Sequence, residues 1–126
     1  MPVGKELGKF KGTFTSVRTC EINGEQGIVE GTYTAKVTGQ LSGTAVGTLT
    51  FSGSNARGTA NDLGTAYLAS GDVSNYKTQG VYWSGSNGKW ETRGAAMMGD
   101  QRLVVEGQIT MSDGVFSSGG IIFELK

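Results

Sequence analysis

Residues 102–111, Arg-Leu-Val-Val-Glu-Gly-Gln-Ile-Thr-Met, carry the clearest pattern in the chain. Apolar residues or glycine stand at every second position from Leu103 to Met111, and mostly polar residues stand between them. A period of two places successive side chains on opposite faces of a β-strand, whereas an amphipathic helix has a period near 3.6. The stretch therefore predicts a strand with one face toward a core and the other toward solvent.

The same alternation recurs along the chain, and turn sequences separate the runs. Asn23-Gly24, Asn87-Gly88 and Asp113-Gly114 are pairs that favour tight hairpin turns. We predict strands at 8–20, 27–39, 42–52, 56–70, 76–85, 89–98, 102–111 and 114–125. Short connections make neighbouring strands antiparallel, and closure removes the long exposed edges that a flat sheet would leave. The predicted fold is all-β, a single eight-stranded antiparallel up-and-down barrel, and a two-sheet β-sandwich is the alternative.

Length, composition and charge narrow the class of protein. The chain of 126 residues fits a single domain, 1–126, and its 37% hydrophobic content is too high for a disordered chain. No apolar run approaches the ~20 residues of a membrane span. Eleven basic residues balance eleven acidic ones, so we expect neither a nucleic-acid nor a membrane partner. A single cysteine, Cys20, and an N-terminus without a secretion signal favour a cytoplasmic location.

The 22 glycines need an explanation, because glycine inside a strand weakens it. In most of the predicted strands a glycine shares the face of the large apolar residues, as Gly31 does between Val29 and Tyr33. Two interpretations follow. Inward glycines could let the strands bend and coil, or they could leave empty volume that a ligand fills.

Several kinds of catalytic chemistry are excluded by composition. The chain has no histidine, so Ser-His-Asp and Cys-His catalysis and the usual zinc sites are ruled out, and we expect no cofactor or metal. Strand parity places four glutamates on the barrel exterior: Glu30, Glu91, Glu106 and Glu124. The carboxylates in or beside turns are interpreted as local caps, namely Glu21, Glu25, Asp72, Asp100 and Asp113, and the Asn61-Asp62 pair is interpreted in the same way. The sequence therefore selects no catalytic residue.

Candidate ligand-binding residues come from the inward parity instead. Aromatic and methionine side chains on that face, Tyr76 among them, could line an apolar pocket. Arg18 continues the inward face of the first strand, so either it lies at an open mouth or a bulge turns it outward. At a mouth it would bind a carboxylate or polarise a carbonyl. The candidate residues are Arg18, Tyr33, Tyr82, Trp90, Met98 and Met111.

Trp83 has the opposite parity and is predicted to be exposed. Together with Val81 and Met97 it could form a contact between copies of the chain, since large aromatic side chains are enriched at interfaces. We therefore expect a homo-oligomer.

The glycine-punctuated strands resemble a known family. The runs Gly12-Thr13-Phe14, Gly39-Gln40-Leu41-Ser42-Gly43-Thr44-Ala45 and Glu106-Gly107-Gln108-Ile109 are similar to those of the allene oxide cyclase barrel-like proteins, in particular their small bacterial branch. Characterised members of that barrel hold an apolar ligand inside, steer a cyclisation or coupling, and often form oligomers. The resemblance includes no catalytic motif, so no residue role is transferred.

Three functions remain open from the sequence. The first is a barrel that holds a small apolar or amphipathic ligand in its interior. The second is a cofactor-free cyclase or isomerase that acts by orienting its substrate. The third is a structural or protein-interaction module with a filled core. The first two require an internal cavity, and the third requires none.

Overall fold

The structure, a computed structural model, describes residues 3–126. Its eight strands are β1 (Val3–Asn23), β2 (Gln26–Thr38), β3 (Gly43–Gly53), β4 (Arg57–Leu68), β5 (Val73–Ser84), β6 (Lys89–Met98), β7 (Gln101–Ser112) and β8 (Val115–Leu125). Each strand pairs antiparallel with the next, and β8 pairs with β1. The predicted closed up-and-down barrel is confirmed, and the sandwich alternative is excluded. The described residues contain no helix long and apolar enough to cross a membrane.

The predicted hairpin turns lie where the sequence places them. Asp113 and Gly114 have φ angles of 53° and 77°, as a two-residue type I′ turn requires at both central positions. Gly24 and Gly88 likewise have positive φ angles, at the β1–β2 and β5–β6 turns. These turns lie at one end of the barrel, here called the hairpin end; the terminal end is the one at which β1 begins and β8 ends.

β1 is longer and less regular than the sequence predicts. Its pairing with β2 shifts register between Phe14 and Ser16 and again between Thr19 and Glu21. A bulge inserts one extra residue, so the face to which later side chains point is reversed. The pairing of β1 with β8 ends at Thr13, and the rest of β1 pairs with β2 alone.

Two clusters of buried side chains fill parts of the interior. Near the terminal end, Leu7, Ala96 and Leu103 form a buried cluster, against which Leu41 and Met98 pack. The backbone N–H of Leu41 donates to the carbonyl of Leu7 at 2.8 Å, which ties the β2–β3 loop to β1 across that end. A second buried cluster, Tyr33, Ala35 and Ala45, lies deeper in the barrel.

The outer surface carries scattered apolar side chains. Trp83, Val81 and Met97 are 43%, 49% and 48% exposed, which confirms the predicted exposure. Arg93 lies opposite Val81, and Lys77 lies opposite Met97, so charged residues interrupt this apolar surface. Its role between copies of the chain remains a prediction.

Candidate functional site

Aromatic rings occupy much of the space above the inward glycines. Tyr33 on β2 lies opposite Gly47 on β3, Gly47 lies opposite Gly64 on β4, and Gly64 lies opposite Tyr76 on β5. A Cβ atom on Gly47 would lie 2.6 Å from the Tyr33 hydroxyl oxygen, and one on Gly64 would overlap Cζ and Oη of Tyr76. The two tyrosines therefore extend toward each other across two strands that carry no side chain in this row.

The two tyrosine hydroxyls meet at a carboxylate. The Tyr33 hydroxyl lies 2.9 Å from Oδ1 and 2.8 Å from Oδ2 of Asp62, to which it donates, and it is also hydrogen-bonded to the Tyr76 hydroxyl. Asp62 lies on β4, two residues before Gly64, and therefore shares its inward face. The three side chains form a hydrogen-bonded chain, Tyr76–Tyr33–Asp62, inside the barrel.

Burial changes the acidity of all three groups. Desolvation raises the pKa of Asp62 to about 6, although hydrogen bonds from the Tyr33 hydroxyl and the Leu63 backbone lower it. Desolvation, followed by the nearby charge of Asp62, also holds the pKa values of Tyr33 and Tyr76 well above their ordinary value. Both tyrosines therefore stay protonated near neutral pH, whereas the carboxyl group can take up or release a proton there.

No cationic side chain compensates Asp62 within residues 3–126. The ion pairs of this part of the chain, Arg18–Glu30 and Arg93–Glu106, join residues at outward positions of neighbouring strands. On either side of Asp62 in the sheet lie Leu49 and Thr78, neither of which carries charge. The carboxyl group is satisfied by hydrogen bonds alone.

A cavity of about 150 Å³ opens beside this chain of hydrogen bonds, and we call it the Asp62 cavity. Its wall is mainly apolar, with Asp62, Tyr33 and Tyr76 as a polar patch. The other polar residues of the wall are Thr78, Thr92, Ser118 and Arg93, whose guanidinium is paired with Glu106. The apolar wall includes Phe10, Phe14, Ala35, Ala45, Leu49, Ala60, Ala66, Ala96, Met98, Leu103 and Ile122. Small alanines and glycines leave the volume that larger side chains would otherwise fill.

A second cavity of about 210 Å³ lies toward the hairpin end, and we call it the Trp90 cavity. Two of its polar side chains already form hydrogen bonds: the Tyr82 hydroxyl donates to the Ser54 carbonyl at 2.6 Å, and Trp90 Nε1–H donates to the Asn55 carbonyl at 2.9 Å. These bonds hold the β3–β4 loop against the barrel. The remaining wall is apolar and includes Phe14, Val17, Val29, Phe51, Ile109 and Phe116.

The predicted ligand-binding residues divide between the two cavities. Tyr33 and Met98 line the Asp62 cavity, while Tyr82 and Trp90 line the Trp90 cavity. Met111 shares the inward parity but lies at the end of β7, is 42% exposed, and lines neither cavity.

Arg18 also lines neither cavity, and its placement at an inward mouth is wrong. The register shift after Phe14 turns Val17 toward the Trp90 cavity and Arg18 toward solvent. There its guanidinium donates to Glu30 at 2.8 Å on the outer face. The alternative that a bulge turns Arg18 outward is the one observed.

Asp62 is the polar residue that the sequence reasoning missed, because the Asn61-Asp62 pair was interpreted as a local cap. A signal was nevertheless present: Gly58, Ala60, Asp62, Gly64 and Ala66 alternate with larger or polar residues over 57–68. A carboxylate in the middle of a row of small inward residues indicates an inward-facing acid beside free volume. Strand parity also placed Tyr76 on the inward face, but Tyr76 was not among the six candidate ligand-binding residues.

Within residues 3–126, no group of three histidine, cysteine, aspartate or glutamate side chains is placed to bind a metal ion. Comparison of the chain with protein-family models, with curated proteins and with solved structures found no match. The resemblance to the allene oxide cyclase barrel-like proteins therefore stays a prediction.

Proposed function

We propose that the barrel holds a small apolar molecule in the Asp62 cavity. The observation that carries this proposal is an apolar interior space with one concentrated polar patch, the Tyr76–Tyr33–Asp62 chain. Ligand pockets typically combine a mainly apolar wall with a few polar groups that fix orientation. In the Trp90 cavity the Tyr82 hydroxyl and the Trp90 Nε1–H already donate to the β3–β4 loop, and no carboxyl group lines the wall.

The size of the cavity sets the size of the ligand. An apolar cavity of about 150 Å³ holds a molecule the size of benzene. The occupant is therefore a small compound with about one ring, rather than a fatty acid or a polycyclic molecule. Two cavities inside the barrel also disfavour the alternative of a module with a filled core.

An enzyme is the second candidate, and the hydrogen-bonded chain is the observation that favours it. A carboxyl group with a pKa of about 6 can accept and return a proton near neutral pH, and the tyrosine hydroxyls can orient a bound oxygen atom. The chemistry open to such a site is a proton shift or a cyclisation without a cofactor. Conversion of a bound compound, rather than retention, would favour this alternative.

Native mass spectrometry of protein purified gently from its own host tests the binding proposal. We expect additional mass that is lost on denaturation, and the same spectrum counts the copies in the predicted oligomer. A cavity-filling variant, Ala66→Leu, should lose the retained mass, whereas Ala69→Leu in the exposed β4–β5 turn should keep it. Folding of both variants is checked by circular dichroism.

If the wild-type protein shows no additional mass, it is titrated with toluene, a neutral probe of the right size. Toluene that binds the wild-type protein and Ala69→Leu, but not folded Ala66→Leu, supports the Asp62 cavity as the site. The proposal is overturned if the wild-type protein retains no ligand and binds neither toluene nor a charged compound of the same size.

A further inference from the structure

Asp62 is a partly buried acid, and no cationic side chain of residues 3–126 pairs with it. Its carboxylate accepts a hydrogen bond from Tyr33, the facing positions on β3 and β5 are Leu49 and Thr78, and the remainder of the surrounding wall is mainly apolar. Buried charges in proteins are normally paired, because desolvation of an isolated carboxylate is costly. A positive charge that offsets the ionised Asp62 would have to come from outside the chain, as a proton or as a bound cation.

The cavity beside Asp62 also suits a cation on its remaining walls. Phe14 and Tyr33 pack edge to face with ring centroids 5.9 Å apart, and both line the cavity together with Tyr76. Aromatic faces attract ammonium groups, and they do so more strongly where water is excluded. The Tyr76 oxygen has acceptor capacity beyond its bond to Tyr33, so it can accept a hydrogen bond from a bound N–H group.

We propose that the ligand of the Asp62 cavity is a small, mainly apolar amine, bound as its ammonium ion with the nitrogen at the Asp62 carboxylate. This inference rests on the proposed binding function and names the chemical class of the ligand. The ammonium group supplies the charge that the barrel lacks, and the single ring of the ligand fills the apolar remainder of the cavity. A metal ion is not an equivalent occupant, because one carboxylate and two phenols do not make a metal site.

Other ligand classes of the same size do not offset the negative charge of the Asp62 carboxylate. A neutral hydrocarbon fills the volume but displaces water from around an uncompensated charge. A ligand carboxylate would place a second negative charge beside the first, which is repulsive. The expected order of affinity is therefore ammonium, then neutral molecule, then carboxylate.

Three probes of nearly equal shape test this order: benzylamine, toluene and benzoate, titrated calorimetrically at pH 7.5. We expect benzylamine to bind the wild-type protein about tenfold or more tighter than toluene, the scale of one charge-assisted hydrogen bond, and benzoate not to bind. In Asp62→Asn the preference for benzylamine should disappear while toluene still binds. Glu30→Gln, which removes one carboxylate from the outer face, should keep the wild-type order.

The outcomes separate the two proposals. Toluene binding without a preference for benzylamine, or a preference that survives in Asp62→Asn, would overturn the amine while leaving the binding barrel intact. Failure of all three probes to bind the wild-type protein would overturn both. Toluene binding to Asp62→Asn shows that this variant has kept its cavity, so a lost preference is not a folding defect.

Discussion

Asp62 places an ionisable carboxyl group inside a barrel whose other inward residues are mainly apolar, and its protonation is therefore linked to folding. Its pKa is about 6 in the folded chain, against an ordinary value of 3.8, because burial disfavours the charged form. The folded protein thus binds a proton more tightly than the unfolded chain does. The contribution of Asp62 to the free energy of unfolding is therefore fully present below pH 3.8 and is lost as the pH rises through 6.

The variant Asp62→Asn should remove this pH dependence. Relative to Asp62→Asn, the wild-type free energy of unfolding should fall by ~3 kcal/mol between pH 3.8 and pH 7, and should be level at higher pH. Urea unfolding of both proteins at a series of pH values measures the difference, in which the shared contributions of the other carboxylates cancel. Curves that stay parallel from pH 4 to pH 7 would show that Asp62 is not desolvated.

At the scale of strands, paired glycines and aromatic residues determine where the site can form. The Tyr33 and Tyr76 rings can meet only because Gly47 and Gly64, on the two strands between them, present no Cβ atom. Neither interpretation drawn from the glycine pattern included this role. Part of the space left by the glycines is filled by rings from neighbouring strands, and the remainder is cavity.

Gly64→Ala should break this arrangement. Its Cβ atom would overlap Cζ and Oη of Tyr76, so the ring must move and its bond to Tyr33 is lost. We expect a loss of about 1–3 kcal/mol in stability, the usual range for overpacking. Gly85→Ala is the matched control, because its added Cβ atom would lie 3.6 Å from the nearest atom, the Lys89 carbonyl oxygen. This variant should leave stability unchanged or raise it slightly. Chemical denaturation of both variants measures the effect, and equal stabilities would contradict the steric role of Gly64.

The strand scale also separates what the sequence could predict from what it could not. Alternation and turn pairs such as Asp113-Gly114 are local signals, and they predicted the strands and their antiparallel order. The bulge after Phe14 depends on how β1 pairs with β2, so alternation alone left the direction of the Arg18 side chain open between two alternatives. The Tyr33–Asp62 contact joins residues on β2 and β4, so it depends on the register of both strands with β3 and on the absence of a side chain at Gly47.

At the scale of the whole barrel, closure depends on one seam between the first and last strands. Phe10 on β1 lies opposite Gly120 on β8, and its ring extends across β8 toward Gly107 on β7. Cβ atoms on Gly120 and Gly107 would lie 2.8 and 3.1 Å from Phe10 Cζ. One aromatic ring therefore spans three strands at the seam, while β1 beyond Thr13 has no partner on that side.

Phe10→Ala should weaken the seam before the rest of the sheet. Loss of the ring should cost ~3 kcal/mol of stability and leave a void between β1 and β8. Phe51→Ala is the matched control: its ring packs edge to face on Tyr82, 5.4 Å away between centroids, and lies on β3, away from the seam. Native-state hydrogen exchange distinguishes local opening from global unfolding. We expect Phe10→Ala to speed exchange of the β1–β8 amides more than that of the β3–β4 amides, and Phe51→Ala to do the reverse. A uniform increase in both variants would show that the barrel opens only as a whole, and that the Phe10 ring does not control closure at the seam.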